Sequence, residues 1–466
     1  MSEAPQIALV IGAGQAGGPL AGALARAGWT VTLIEREHVG GTCVNEGCTP
    51  TKTMIASARA AHLARSSGDL GVTATVTVDL ACIVDRTQGI VKSFREGSEA
   101  GLKKAGVTLL RGDARFTGIR QVEVSVEGGS PQNLSADHVF INAGARPHWP
   151  ELPGVQDVGA MTSKNILQLR ELPTHLLILG GGYISLEFAQ LYARLGSRVT
   201  VVEAGDRLLP REDGDVVEEL QKVLEGEGVT FHTGTEAQRV GRTGADIVLD
   251  VTGPDGGEVT LTGSHLLVAV GRVPNTDTLN AGATGVELDR HGNIVVDDHL
   301  KAADGVYALG DIKGGPAFTH ISYDDFRVLR DALLHGRERS IEHRIVPYTL
   351  FTDPQLGRVG TDRQQARTLG RPTRIYTLPM TSVARAIETG QTAGLMRAVV
   401  DDATDLLLGV TVLGPEGGEI MSALQLALQG GLSATDLRNS TFAHPTLCES
   451  INNLFMSSPE TVPGTH

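Results

Sequence analysis

The stretch IALVIGAGQAGGPLAGALARAGWTVTLIE, residues 7–35, decides the fold. An apolar run is followed by a glycine loop, an amphipathic stretch and a second β-branched run, which predicts a strand, a helix and a strand. The loop carries the GxGxxG spacing as Gly12, Gly14 and Gly17. In this context the glycines let the backbone approach a pyrophosphate at the helix N-terminus, and Glu35, which ends the second strand, accepts hydrogen bonds from a ribose hydroxyl. We therefore interpret the stretch as a dinucleotide-binding unit, with a strand–turn–helix of purely structural role as the alternative.

A second copy of this unit lies at HLLILGGGYISLEFAQLYARLGSRVTVVE, residues 175–203. The first loop glycine precedes the terminal glutamate by 23 residues in both copies, and in this copy these residues are Gly180 and Glu203. Gly182 holds the second position of the motif, and Ser185 replaces the last glycine. Because serine is small enough to keep the contact between helix and strand, the sequence predicts a second dinucleotide site.

The acid at the end of the second copy bears on which coenzyme binds there. A carboxylate at Glu203 favours a free 2′-hydroxyl and repels a 2′-phosphate. The sequence therefore predicts NADH in preference to NADPH. Arg207 and Arg211 follow closely, and a loop arginine could still tolerate the phosphate, so NADPH remains an alternative.

Two dinucleotide sites in one chain suggest two dinucleotides, one of them a flavin. The segment VYALGDI, residues 306–312, puts Asp311 at the end of a short apolar run, where a carboxylate could hold ribityl hydroxyls. The alternative for this Gly-Asp pair is an ordinary turn.

The bulk composition favours a soluble protein whose partners are small molecules. The chain has 466 residues and a formal net charge of −14, with no run rich in Lys and Arg. These features argue against nucleic acid or an anionic membrane as a partner. No apolar run reaches about 18 residues, and the N-terminal MSEAPQ lacks the basic region of a signal peptide. We therefore expect a cytoplasmic protein.

The segment GGTCVNEGCTPTK, residues 40–52, places Cys43 and Cys48 five positions apart in a chain with four cysteines. A structural zinc site normally needs four ligands, and Cys82 and Cys448 form no second pair in the sequence. Structural disulfides are rare in a reducing cytoplasm. A redox pair beside a flavin accounts for both the spacing and the location. The other two cysteines are expected to be small buried residues.

The motifs follow one another along the whole chain. After the first glycine loop and the cysteine segment come INAGARP (141–147), the second glycine loop, GRVPN (271–275), ALGD (308–311) and HPTLCE (444–449). In this order the chain resembles the class I pyridine nucleotide-disulfide oxidoreductases, the family of glutathione reductase, dihydrolipoamide dehydrogenase and mercuric reductase. The cysteine segment is similar to that family's active-site signature. The resemblance implies that electrons pass from NADH to FAD, to a Cys43–Cys48 disulfide and on to an acceptor.

The resemblance also implies roles for individual residues. Cys48, nearer the flavin, would be the charge-transfer thiol, and Cys43 would be the interchange thiol that meets the substrate. Lys52 would lie by the flavin N5 and pair with Glu187. Tyr183 would cover the nicotinamide pocket and move aside for NADH. Further implied cofactor contacts are Thr42, Ala114, Gly144, Ile184, Gly271 and Thr319.

The C-terminal motif implies a catalytic base. His444, held by Glu449, would exchange protons with Cys43 of the other subunit, so a twofold homodimer would be part of the mechanism. The residue types suit this chemistry, because a cysteine attacks as the thiolate and an imidazole oriented by a carboxylate can take its proton. If HPTLCES begins a helix, Cys448 lies on the same face as His444 and could serve as an extra thiol.

The acceptor is the least specified part of the prediction. Mercuric reductases typically have a C-terminal cysteine pair and a Tyr in place of His444, which disfavours mercuric ion, whereas HPTLCE is also close to the dihydrolipoamide dehydrogenase ending. LPRED (209–213) and the segments 314–334 and 444–455 look like the bacterial branch that protects against reactive chlorine species, which is associated with reducing hypothiocyanite or cupric ion. An oxidised sulfur species or a soft metal ion would react directly with an exposed thiolate pair. The alternative from another class is a nucleotide-binding redox sensor without turnover, and the His444/Glu449 couple argues against it.

We predict an α/β protein with two Rossmann-like dinucleotide-binding domains and a C-terminal α+β interface domain. The FAD-binding domain would comprise residues 1–148 and 273–343, with the NAD(P)H-binding domain inserted at 149–272. Residues 344–466 would form the interface, or dimerisation, domain, and no resident metal site is predicted. We expect the last ten residues or so to be loosely held.

Overall fold

The computed structural model describes residues 5–126 and 128–464. The first unit forms a parallel sheet with helices packed against it. Its elements are β1 (Ile7–Ile11), α1 (Gly17–Arg26), β2 (Thr30–Glu35), α2 (Gly41–Asn45), α3 (Cys48–Ser66), α4 (Leu80–Ala105), β3 (Thr108–Arg111), β4 (Asp113–Gly118), β5 (Gln121–Ser125), β6 (Gln132–Ser135), β7 (His138–Ile141) and β8 (Ala145–Pro147). Strand β1 lies between β2 and β7, with β3 beyond β2, all parallel, and β4, β5 and β6 form a separate antiparallel sheet. Because Ile11 pairs with both Ile34 and Ile141, the carboxyl ends of three strands meet at one edge.

The second unit repeats this arrangement. Its elements are β9 (His175–Leu179), α5 (Tyr183–Leu195), β10 (Arg198–Val202), α6 (Gly214–Gly226), β11 (Val229–His232), β12 (Glu236–Thr243), β13 (Asp246–Thr252), β14 (Glu258–Gly263) and β15 (His265–Val268). A parallel sheet has the order β11-β10-β9-β15, and β12, β13 and β14 form an antiparallel sheet beside it. The second glycine loop therefore follows a central strand, as the first one does.

The chain then returns to the first sheet. The elements are β16 (Arg272–Pro274), β17 (Lys301–Ala303), β18 (Val306–Ala308) and α7 (Thr319–His335). Strand β18 pairs in parallel with β7, β17 pairs antiparallel with β18 at the edge of the same sheet, and β16 pairs with β8. The first sheet is thus built from two separate stretches of the chain, and the second unit lies between them in sequence.

The last part of the chain forms a six-stranded antiparallel sheet with helices on it. Its elements are β19 (Tyr348–Leu350), β20 (Gln355–Gly360), α8 (Arg363–Ala366), β21 (Thr373–Pro379), α9 (Ala384–Glu388), β22 (Leu395–Asp401), β23 (Leu407–Gly414), α10 (Gly417–Gln429), α11 (Ala434–Asn439), α12 (Ser450–Met456) and β24 (Glu460–Val462). The strand order is β19-β20-β23-β22-β21-β24. The expectation of a loosely held C-terminus is wrong for 460–462, because this segment pairs with β21 and Val462 is buried.

A continuous hydrophobic core joins the three parts. Met54 on α3 and Val84 on α4 belong to the same buried cluster as Leu186 and Phe188 on α5, and Leu350 on β19 belongs to it as well. Burial of such side chains contributes roughly 1.5–3 kcal/mol each. The packing therefore holds α3, which begins with Cys48, against α5, which begins with Tyr183.

The predicted fold class is confirmed, with two Rossmann-like units and a C-terminal α+β part. The domain boundaries at residues 148, 272 and 343 stay predictions. Among residues 5–126 and 128–464, no helix combines the length and the apolar character needed to cross a membrane.

Candidate active site

A large cavity, about 2350 Å³ in volume, lies where the first two units and the last part of the chain meet. The predicted site residues that line it are Gly12, Gly14, Glu35, Thr42, Cys43, Cys48, Lys52, Ala114, Gly144, Gly180, Gly182, Tyr183, Ile184, Glu187, Glu203, Gly271, Asp311 and Thr319. Gly17, His444 and Glu449 do not line it. The structure therefore brings together residues from motifs that are up to 307 positions apart in the sequence.

The first glycine loop is held by a side chain that the sequence analysis did not single out. Gly12 has a φ of +98°, and a Cβ there would come within 2.2 Å of the carbonyl oxygen of Asn142. The side-chain oxygen of Asn142 accepts a hydrogen bond from the Gly17 N–H at 2.9 Å, and its amide donates to the Leu309 carbonyl at 2.8 Å. Gly17 thus holds the loop through Asn142 and does not itself line the cavity. The INAGARP motif contained the signal, since it places Asn142 directly after β7.

Glu35 is oriented by the backbone around it. Its two carboxylate oxygens accept hydrogen bonds from the N–H groups of Ala13 and Glu37, each at 2.8 Å. A carboxylate has about four lone-pair sites. Each oxygen therefore retains a position at which it could accept a ribose hydroxyl.

The second glycine loop has the same construction. Gly180 has a φ of +104°, and a Cβ there would come within 2.6 Å of the carbonyl oxygen of Ala269. Glu203 accepts hydrogen bonds from the N–H groups of Gly181 and Gly205, the latter at 2.6 Å. Its carboxylate is therefore fixed at the end of β10, inside the cavity.

Cys43 lies in α2 and Cys48 is the first residue of α3, and both are present as free thiols. Their mutual hydrogen bond lowers the pKa of Cys48 to about 6 and, together with burial, raises the pKa of Cys43. The Thr319 hydroxyl lies 3.4 Å from the Cys48 sulfur and further favours its thiolate. A helix N-terminus also favours a thiolate. The pair thus keeps one proton, mainly on Cys43, at neutral pH.

Lys52 and Glu187 form an ion pair beside the thiols. The Lys52 ammonium lies 2.7 Å and 2.9 Å from the two carboxylate oxygens of Glu187, which is buried. The Phe351 N–H donates to the same carboxylate at 3.0 Å, and the ammonium lies 4.9 Å from the centroid of the Phe351 ring. Phe351, in the last part of the chain, therefore contacts both Lys52 and Glu187, and no local motif indicated this contact.

Tyr183 lies at the start of α5 and its hydroxyl donates a hydrogen bond to Glu212 at 2.6 Å. Burial, followed by the Glu212 charge, raises the pKa of Tyr183, so its hydroxyl stays protonated at neutral pH. Tyr348 donates to the same oxygen of Glu212, also at 2.6 Å. The LPRED motif contains Glu212, but its sequence indicated no role for Glu212 and no contact with Tyr348.

Asp311 lies in a short helical turn that is held in place by Asp325 on α7. The Gly310 N–H donates to the fully buried Asp325 at 2.8 Å, and Asp325 also contacts Arg344 at 2.7 Å and Lys313 at 3.5 Å. Burial raises the pKa of Asp311, which faces the cavity. Asp325 on α7 is thus a further positioning residue that the motif alone did not reveal.

His444 and Glu449 form an exposed couple outside the cavity. The Nδ1 atom of His444 lies 2.9 Å from one carboxylate oxygen of Glu449 and 3.0 Å from the other. The His444 side chain is 70% exposed. Because Nδ1 faces the carboxylate, the opposite nitrogen, Nε2, is the one left to exchange a proton with another group.

Two expectations about the remaining cysteines are wrong. The helix near HPTLCES begins only at Ser450, and residues 447–449 form a turn before it, so Cys448 is not on a helical face with His444. Cys448 instead packs, half-buried, on the core of the last sheet, and burial raises its pKa. Cys82 is exposed on the first turn of α4, where its N–H donates to Asp79. In the described ranges, 5–126 and 128–464, no group of three or more His, Cys, Asp or Glu residues could hold a metal ion.

Two family models cover most of the chain. The model described as pyridine nucleotide-disulphide oxidoreductase matches residues 7–325. The model described as pyridine nucleotide-disulphide oxidoreductase, dimerisation domain, matches residues 346–455.

Individual proteins are similar over nearly the full length. The probable pyridine nucleotide-disulfide oxidoreductase RclA of Escherichia coli is 36% identical over 454 residues, which cover 96% of this chain and 98% of that protein. Dihydrolipoyl dehydrogenase of Halobacterium salinarum is 35% identical over 446 residues, which cover 94% of this chain and 93% of that protein. Among solved structures, the Cu(II) complex of the HOCl-induced flavoprotein disulfide reductase RclA from Escherichia coli matches with a TM-score of 0.89 and 35% identity, covering 97% of this chain and 99% of that chain.

Proposed function

Because the chain belongs to the pyridine nucleotide-disulphide oxidoreductase family, we propose that it oxidises NADH and passes the electrons through a Cys43–Cys48 disulfide to a thiol-reactive acceptor. It is a flavin-dependent oxidoreductase, as its relatives are. The observation that carries the proposal is that Cys43 and Cys48 lie together in the cavity that also contains both glycine loops. A cytoplasmic location stays a prediction.

The residues of the first loop fit FAD. Gly12 lies against Asn142, and Gly12 and Gly14 also line the cavity, where a pyrophosphate would meet the backbone of the loop. Gly144 has a φ of +67° and open space at its Cβ position, so its backbone can approach a ring system. Glu35 would hold the ribose, and Asp311 the ribityl chain. When bound, FAD supplies hydride exchange with the nicotinamide and electron exchange with the disulfide.

The residues of the second loop fit a pyridine nucleotide, and we propose NADH as the preferred one. Glu203 is fixed in the cavity by two backbone N–H groups, where its charge would repel a 2′-phosphate. The side chain of Arg207 is occupied with the Pro210 carbonyl, at 2.6 Å. Arg211 is exposed at the cavity wall and is the residue that could still accept a 2′-phosphate.

The thiols have different roles in this proposal. Cys48 is the ionised sulfur, beside Thr319 and close to the Lys52–Glu187 pair, and we assign it to the flavin side. Cys43 keeps its proton until a base takes it, which turns it into the nucleophile that meets the acceptor. Lys52 favours negative charge on the sulfurs, and Glu187 holds the ammonium in place.

We propose that His444 is that base and that it acts on Cys43 of a second subunit. The couple with Glu449 is exposed and lies outside its own chain's cavity, and the chain has a dimerisation domain. Glu449 would orient the imidazole and stabilise its protonated form. A twofold homodimer would then contain two sites, each built from both subunits.

The proposed acceptors share reactivity towards a dithiol. When the dithiol is oxidised to the disulfide it releases two electrons and two protons. Hypothiocyanite would take both electrons and both protons, giving thiocyanate and water. Two cupric ions would take one electron each, and the protons would pass to solvent. The match to a Cu(II) complex of RclA supports including cupric ion among the candidates.

Steady-state NADH oxidation with different acceptors tests this proposal. We expect turnover with cupric ion or hypothiocyanite to exceed turnover with mercuric ion, lipoamide or glutathione disulfide. The Cys43→Ser variant serves as the control, because NADH oxidation that survives this change does not pass through the thiols. Efficient turnover with lipoamide would overturn this ranking and would indicate dihydrolipoamide dehydrogenase activity. That activity is the second candidate because the chain is similar to the Halobacterium salinarum enzyme. Binding of both nucleotides without reduction of any of these acceptors would favour the redox-sensor alternative.

A further inference from the structure

Glu212 is a buried carboxylate that connects the second dinucleotide-binding unit to the last part of the chain. It is 1% exposed. One of its oxygens accepts the hydroxyls of both Tyr183 and Tyr348, and the other lies 3.3 Å from the guanidinium of Arg358 on β20. A carboxylate oxygen has two lone-pair sites, so it can accept both hydroxyls together. All three partners line the cavity, and of the three only Tyr183 follows directly on the second glycine loop of the proposed nicotinamide site.

The two tyrosines differ in how firmly they are held. The ring of Tyr348 stacks on Phe318 at 5.4 Å with an interplanar angle of 8°, and Arg358 lies 5.9 Å from it on β20. Tyr183 packs against the border of the core and meets Tyr348 edge-on, at 5.8 Å. It lies at the first position of its helix and, like Tyr348, lines the cavity. The space at the neighbouring residue Gly182 is open, because a Cβ on Gly182 would meet nothing within 4 Å. Tyr183 is therefore the partner that can leave, and Tyr348 is the one that stays.

The loop that carries Glu212 is fixed independently of Tyr183. Leu209 has a φ of +42°, and its N–H donates to the Gly181 carbonyl at 3.1 Å. The Glu212 N–H donates to the Leu209 carbonyl at 2.9 Å, and the adjacent Asp213 is paired with Arg397 at 2.9 Å. The carboxylate therefore keeps its position when the tyrosine moves.

We propose that Glu212 is a latch that holds Tyr183 over the nicotinamide site and so sets how often that site is open. This inference rests on the proposed function, in which Tyr183 covers the nicotinamide pocket. Nicotinamide entry must then break a hydrogen bond to an ionised acceptor that is shielded from water. The apparent affinity for the nucleotide is lowered by the fraction of molecules that are closed. Tyr348 and Arg358 keep the buried carboxylate satisfied while the latch is open.

Binding of NAD⁺ to the oxidised holoenzyme tests the latch without turnover. Tyr183→Phe keeps the ring but removes the hydroxyl, and we expect the Kd for NAD⁺ to fall about tenfold, the usual size of one hydrogen bond to a charged group. Glu212→Gln keeps the shape with a weaker acceptor, and we expect a smaller fall. In the Tyr183→Phe background Glu212→Gln should have no further effect, because the two changes break the same contact. The kcat for NADH oxidation should change less than KM in both variants.

Tyr348→Phe is the matched control, because it removes the other hydroxyl from the same oxygen. We expect no decrease in the Kd for NAD⁺ in this variant. A Tyr183→Phe enzyme that binds NAD⁺ no more tightly than the wild type would overturn the latch, and so would an equal gain in Tyr348→Phe. Flavin content and thermal unfolding check the folding of each variant, and the comparison of the two tyrosine variants holds even if Glu212→Gln unfolds. If the wild type itself fails to bind NAD⁺, the proposed function fails, whereas equal binding by the wild type and the variants removes only the latch.

Discussion

The Nδ1 atom of His444 lies 2.9 Å from a carboxylate oxygen of Glu449, and neither residue lines the cavity that contains Cys43 and Cys48 of the same chain. An imidazole oriented in this way is ready to exchange a proton at Nε2. Its exposure on a part of the chain that matches a dimerisation domain suggests that a second subunit supplies the thiols.

Heterodimers test whether the site is shared between subunits. His444→Ala and Cys43→Ser should each lower turnover by about 10²-fold or more, since the first removes the proton acceptor and the second removes the nucleophile. A heterodimer of the two variants, purified through two different tags, contains one intact site if His444 acts on the partner. We therefore expect it to regain about half of the wild-type activity.

The matched control is a heterodimer of Cys43→Ser with Cys48→Ser, in which each site has lost one thiol. It should stay inactive. Absence of recovery in the His444→Ala and Cys43→Ser heterodimer would show that the base does not act across the interface.

The ionisation of Cys48 predicts a pH dependence of the reduced protein. Its pKa is lowered to about 6 by the hydrogen bond with Cys43, so its thiolate forms as the pH rises through about 6 and is lost below it. An ordinary cysteine ionises near pH 8.5. The ultraviolet absorbance of the thiolate, measured as the difference between reduced wild type and Cys48→Ser, should therefore show a midpoint near pH 6. A midpoint above about pH 8 would contradict the assignment of the ionised sulfur to Cys48.

Asn142 should be needed to retain the flavin. Asn142→Ala leaves the Gly17 N–H and the Leu309 carbonyl without their partners, and each unsatisfied buried group costs about 1–3 kcal/mol. We expect a fall of about 2–6 kcal/mol in the free energy of unfolding and loss of most bound flavin during purification, measured by the ratio of flavin to protein absorbance. Asn133→Ala, an exposed change on β6, is the control and should leave both quantities as they are. Full flavin content in Asn142→Ala would remove the role given to this side chain.

Glu203 should set the choice between NADH and NADPH. Glu203→Gln keeps the length of the side chain and one of the two oxygens that accept from the backbone N–H groups of Gly181 and Gly205, but removes the charge that repels a 2′-phosphate. We expect the ratio of kcat/KM for NADPH to that for NADH to rise about tenfold, which corresponds to ~1.4 kcal/mol. Glu218→Gln, on the exposed face of α6, should not change the ratio. An unchanged ratio in Glu203→Gln would assign coenzyme choice to another group, with Arg211 next to be tested.

The sequence was sufficient wherever a few adjacent residues determine the local structure. The glycine loops could be predicted because Gly12 and Gly180 need positive φ immediately after a strand, and the terminal acids lie one strand further on. The same holds for Cys43 and Cys48, whose separation is set by two short neighbouring helices.

Contacts between distant segments could not be predicted in the same way. Asn142 contacts Gly17 across 125 positions, and Tyr348 contacts Glu212 across 136. Such pairs are determined by how the sheets pack against each other, which leaves no spacing signature in the sequence. The motif HPTLCES left open where the helix α12 begins, and the structure has a turn at residues 447–449 before the helix starts at Ser450.

The most direct test of the account is the number of electrons that the purified protein accepts in an anaerobic titration with dithionite. A flavin and a disulfide each accept one electron pair, so we predict about four electrons per subunit for the wild type and about two for Cys48→Ser. Cys82→Ser changes an exposed cysteine and should match the wild type. If the wild type accepts no more electrons than Cys48→Ser, Cys43 and Cys48 do not form a redox-active disulfide and the central claim is wrong.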